Sequence, residues 1–68
     1  MKVGDIVVVV NDTNLYKSVY ITTAFRTAFK NEQFLFIENY TTHDWIRIYD
    51  PISRSICDVF KYDIKVHR

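Results

Sequence analysis

Five consecutive β-branched residues, Ile6, Val7, Val8, Val9 and Val10, follow the turn pair Gly4-Asp5. Two heavy atoms on each Cβ stiffen χ1 and favour extended backbone, so the run predicts a first strand. Asn11-Asp12-Thr13-Asn14 ends it, because short polar side chains bond their own backbone, and the resulting loop is predicted to reach about Lys17. From Ser18 to Phe25, Val19, Ile21, Thr23 and Phe25 alternate with Tyr20, Thr22, Ala24 and Arg26, and this period of two predicts a second strand. Ala24-Phe25 and Ala28-Phe29 also lie four apart, as on one face of a helical turn, so residues 24–31 stay open between strand and helical turn.

Lys30-Asn31-Glu32-Gln33 is a polar connection, and the apolar run Phe34-Leu35-Phe36-Ile37 predicts a third strand. After the loop Tyr40–Asp44, Trp45-Ile46-Arg47-Ile48-Tyr49 alternates and stops at Asp50-Pro51, where proline removes a ladder donor. Ser55–Phe60 is a further β-prone segment, Lys61-Tyr62-Asp63 a single helical turn, and Ile64–His67 a closing strand. Five or six short antiparallel strands with tight connections predict a small all-β barrel or sandwich. Alternation puts Val7, Val9, Ile46, Ile48, Ile64 and Val66 inside and leaves Trp45, Arg47 and Tyr49 on the opposite face of their strand. With one Gly and one Pro in so many turns, asparagines such as Asn11, Asn14, Asn31 and Asn39, and the aspartates, must take some left-handed positions.

Sixty-eight residues allow one core and no second domain, and a chain this short buries only about 60% of its unfolded surface. The core can be dense, since 49% of residues are hydrophobic and 16% aromatic. A net charge of +1 is far from the basic excess that nonspecific phosphate binding needs. Cys57 is the one cysteine, which excludes an intrachain disulfide and fits a reducing, cytoplasmic setting. The Met1–Asp5 opening has no signal-peptide pattern, and the longest apolar run, Ile6 to Val10, is far short of the roughly 20 residues that span a bilayer. We therefore expect a soluble protein with no membrane partner.

The order of parts resembles the small SH3-like barrel proteins encoded by bacteriophages. The resemblance rests on Lys2-Val3-Gly4-Asp5-Ile6-Val7-Val8-Val9-Val10 and on Asp58-Val59-Phe60-Lys61-Tyr62-Asp63-Ile64-Lys65-Val66, whose turn between two strands looks like that family's closing turn. Residues 24–44 depart from the pattern, being longer than the usual two-strand meander. The resemblance implies an SH3-like barrel over residues 1–68, used as a compact binding scaffold and in some cases to disable a host protein. It transfers no catalytic activity.

His43 beside Asp44 has the makings of an acid/base pair, but no nucleophile accompanies it, and a solvated loop histidine is the simpler reading. Cys57, between Ile56 and Val59, reads as a small buried hydrophobe. Two His and one Cys, far apart, and singly scattered acids make neither a zinc nor a calcium site, so no catalytic residue, metal or cofactor is expected. Lys61, Lys65, His67 and Arg68, interleaved with Asp63, read as a charged edge that discourages strand pairing.

A barrel this small cannot enclose all eleven aromatic rings, and exposed rings beside arginine are the composition of protein interfaces. Trp45, Arg47 and Tyr49 are the leading protein-interface candidates, with local packing or a homodimer face as the alternatives. Tyr16 and Tyr20 form a second candidate, since the matching loop borders the ligand groove in SH3 domains, though the missing acidic cluster argues against proline-peptide recognition. The expected function is a noncatalytic protein-binding module, monomeric or homodimeric, that binds and inhibits or redirects a host bacterial protein. The alternative is a nucleic-acid-binding barrel that uses Arg26, Lys30 and Arg47 with aromatic stacking.

Overall fold

In a computed structural model of the chain, which describes residues 1–18 and 20–67, the backbone forms seven strands and one 3-10 turn. The strands are β1 (Ile6–Val9), β2 (Thr13–Leu15), β3 (Arg26–Ala28), β4 (Gln33–Asn39), β5 (Trp45–Asp50), β6 (Ser55–Phe60) and β7 (Ile64–Val66), with the turn at Lys61–Asp63. Five of them make one antiparallel sheet in the order β6-β5-β4-β1-β7, and β2 and β3 pair as a separate hairpin. Main-chain bonds from Tyr16 N to Asp58 O (3.0 Å) and from Asp58 N to Tyr16 O (2.6 Å) join that hairpin to β6. The architecture is the small all-β domain expected from the sequence, built from seven strands where five or six were expected, with the short turn at 61–63 in its expected place.

The core follows the alternation. Val7, Val9, Ile46, Ile48 and Ile64 are buried with Phe34, Phe36, Cys57 and Val59, while Val66 is half-buried. Burying a side chain of this size contributes roughly 1.5–3 kcal/mol against leaving it in water, so this cluster is the main source of stability. The register of β4 on β5 shifts between Phe36 and Glu38, a bulge that bends β4 as it leaves the core.

Residues 11–29 depart from expectation. The predicted loop to Lys17 contains β2, and the strand predicted over residues 18–25 is not formed, since none of its described residues lies in a ladder. Val19, which that alternation used, lies outside the described residues. The cause is tertiary: Leu15 and Ala28 are fully buried, so they fix which residues pair across the hairpin and leave 18–25 as its unpaired tip. Residues 26–28 are strand, with no helical turn. Phe25 packs against the core while Phe29 is exposed, so the two do not share a face.

Of the asparagines expected in left-handed positions, Asn31 takes one (φ 78°) while Asn11, Asn14 and Asn39 do not, and Arg54 (φ 57°), a residue type not expected there, takes another.

Candidate aromatic binding face

Inward Leu15 makes the next residue, Tyr16, point outward, and the register of β5 on β6 sets Trp45 opposite Phe60 and Arg47 opposite Asp58. The outcome is a row of rings. Tyr16 meets Trp45 edge to face at 5.4 Å between centroids, Trp45 meets Phe60 at 5.9 Å, and Phe60 meets Tyr62 at 5.2 Å. Tyr16, Trp45 and Phe60 are half-buried and Tyr62 is exposed, so the row is packed from below and open above. A cleft of about 260 Å³ between Tyr16, Ile21, Thr22 and Trp45 lies at one end. At the other, Tyr62 and Lys61 help to wall a cleft of about 270 Å³ that also involves Met1, Phe36, Asn39 and Ile46.

Beside the row sits a buried acid. Asp58 has no solvent exposure, and its carboxylate accepts hydrogen bonds from the Tyr40 hydroxyl, at 3.1 Å to each oxygen, and from Arg47 Nε at 3.2 Å. Burial, together with the bond to Asp58, pushes the Tyr40 hydroxyl pKa up. The bond to Asp58 also raises Arg47, whose guanidinium lies 3.7 Å from Glu38 and over the Tyr40 ring. Arg47 thus faces outward as expected but is tied down, a rigid part of the face.

The structure brings together Tyr16, Trp45 and Arg47, and separates the other two interface candidates from them. Tyr20 is 89% exposed at the hairpin tip, and it is Ile21 and Thr22 that line the cleft. Tyr49 belongs to a different outer row, in which the strand registers set Ile6, Leu35, Tyr49 and Ile56 abreast across β1, β4, β5 and β6. Phe60, Tyr62 and Tyr40 also build this face and are not among the interface candidates that the sequence marks. For Phe60 the signal existed, since placing Cys57 in the core puts Ile56, Asp58 and Phe60 on the opposite face of β6, where Asp58 is covered by Tyr40 and Arg47.

The three nucleic-acid candidates are not gathered either. Arg26 Nε donates to Asp50 at 2.8 Å and its Nη2 to Glu32 at 2.9 Å, while Lys30 is exposed, its main-chain N–H bonded to Asp12 at 2.7 Å.

His43 is half-buried against Tyr40, 4.5 Å between rings, and its Nδ1 is buried without a hydrogen-bond partner among the described residues, so it is not the solvated loop histidine expected. Asp44 pairs with Lys61 at 3.3 Å. Cys57 is fully buried, and burial pushes its thiol pKa up to about 12, the reverse of an activated nucleophile. Among the described residues no group of three or more His, Cys, Asp or Glu is placed to hold a metal ion, and no helix is long and apolar enough to cross a membrane. Lys65 and His67 are exposed on and beside β7 as an edge charge should be, and Arg68 lies outside the described residues.

Compared with known proteins, the chain matches no family model, no curated protein and no solved structure.

Proposed function

We propose that the chain is a noncatalytic protein-binding module and that the ring row from Tyr16 to Tyr62, with Arg47 beside it, is its binding face. The observation that carries this reading is the edge-to-face contact of Tyr16 with Trp45 beside an open cleft. Rigid aromatic rings give large contact area at little entropic cost, and half-buried rings held by neighbours are already in their bound arrangement. The tethering of Arg47 by Asp58 adds a pre-set cation to the same face. From the resemblance to phage-encoded barrels we add that the partner is a bacterial host protein, occluded in the cytoplasm by a stoichiometric complex.

Two observations weigh against nucleic acid. Arg26 and Arg47 each spend their charge on internal carboxylates, and a net charge of +1 leaves little field to attract a polyanion. The test is affinity capture from bacterial lysate by the native chain and by Trp45→Ala, each with and without nuclease. The proposal expects one dominant protein that survives nuclease and is depleted about tenfold or more by Trp45→Ala, as for an interface anchor. Partners lost on nuclease treatment, or retained equally by both proteins, would refute it.

A further inference from the structure

We infer that the partner presents one extended segment to this face, with an apolar side chain in each of the two clefts and a carboxylate beside the second, opposite Lys61. This rests on the protein-binding reading above and adds the chemistry of the ligand.

Three features lead there. The two clefts are similar in size, about 260 and 270 Å³, and each is lined mainly by apolar or aromatic side chains. The ring row connects them, because Trp45 walls the first cleft, Tyr62 walls the second, and Phe60 touches both rings. From Tyr16 to Tyr62 the row runs on the order of 15 Å, which an extended chain covers in about five residues. A continuous extended segment therefore reaches both clefts.

Charge then decides the flank. Among the described residues Lys61 is the only charged side chain lining either cleft. Its ion-pair partner among the described residues is Asp44, at 3.3 Å and 55% exposed, a pair open enough to water for a ligand carboxylate to join or displace it. Among the described residues no carboxylate lines either cleft to receive a lysine or arginine from the ligand. The second cleft also offers the Asn39 amide, which can donate to the same carboxylate. Complementarity thus selects an acidic flank over a basic one.

The experiment titrates the isotope-labelled chain with an eight-residue synthetic peptide carrying two leucines four positions apart, so that both point to one side of an extended chain, and a glutamate after the second. One control peptide has lysine in place of glutamate, and another has the two leucines adjacent. The inference expects resonances at both ends of the row to move, Thr22 and the Trp45 indole at one and the Asn39 amide at the other. It expects the glutamate peptide to bind about fivefold tighter than the lysine peptide at low salt, the size of an exposed ion pair, with that preference lost in Lys61→Gln. Equal affinity of the two peptides, equal binding of the adjacent-leucine control, or shifts confined to one cleft would overturn it while leaving the ring row as a binding face. No shift at Trp45 with any peptide up to millimolar concentration would also overturn it. The broader reading is decided separately by whether Trp45→Ala loses the captured protein.

Discussion

Arg26 Nε lies 2.8 Å from an oxygen of Asp50, an aspartate with no exposure to solvent. The pair ties β3 to the end of β5, while Asp50 also accepts from the Ile52 N–H at 3.0 Å and the Ser53 hydroxyl at 2.8 Å, so one carboxylate sets the β5–β6 turn and anchors the long hairpin. Removing one partner of a buried pair leaves the other charge in low dielectric, which costs several kcal/mol. Arg26 keeps some contact with water, which lowers that figure. Arg26→Met is expected to destabilise the fold by about 2–3 kcal/mol in urea unfolding. A loss under about 0.5 kcal/mol would show that Asp50 does not depend on the guanidinium.

The same cluster sets an acid limit on stability. Burial pushes Asp50 upward, but the bonds from Arg26, Ser53 and the Ile52 N–H outweigh it and hold its pKa below the usual value. Burial acts likewise on Glu32, and Arg26 with the Phe29 N–H pulls it down. Unfolded carboxyls titrate near pH 4, so the unfolded chain binds the protons first as pH falls. The stabilisation is complete above about pH 5 and is lost as pH drops through the depressed folded values. Thermal midpoints measured from pH 6 to pH 2 should fall across that window, and the fall should be shallower in Arg26→Met. A parallel curve for the variant would place the acid sensitivity elsewhere.

What could be read from the sequence was whatever local alternation decides. Val7, Val9, Ile46, Ile48 and Ile64 lie inside as their strands dictate, and Trp45 and Arg47 lie outside for the same reason. Where a long-range partner decides, the sequence was silent. Leu15 sits in a polar run that reads as loop, yet burial against the core makes it a strand residue and turns Tyr16 toward Trp45. Arg26 reads as a surface cation until Asp50, 24 positions away, claims it. Asp50 itself reads only as the stop before Pro51. The ring row was half legible: Trp45 followed from its own strand, whereas Tyr16, Phe60 and Tyr62 come from three other segments that only the tertiary fold brings together.

Cys57 gives a direct probe of the core. Its thiol is fully buried and its pKa is pushed up to about 12, so at pH 8 little thiolate exists and a reagent must wait for the fold to open. Native protein should react with a thiol-specific disulfide reagent at least a hundredfold more slowly than protein in 6 M guanidinium, and the rate should rise in Arg26→Met. Fast native labelling would mean that β6 opens locally without global unfolding.

Tyr16 and Trp45 test whether the ring row is a preassembled unit. Edge-to-face pairs contribute about 0.5–1.5 kcal/mol beyond the area they bury, and here the contact links the hairpin to β5. A double-mutant cycle of Tyr16→Leu and Trp45→Leu keeps apolar volume at both sites while removing ring geometry, and it should give a coupling energy of about 1 kcal/mol in the native fold. The same cycle run on partner binding separates two roles for the rings. If they act only as independent apolar anchors, the two losses in affinity add. If the row binds as one preformed surface, the second substitution costs less than the first, because either one already releases the hairpin from Trp45. Additive losses in both stability and binding would remove the basis for treating Tyr16 and Trp45 as parts of one face.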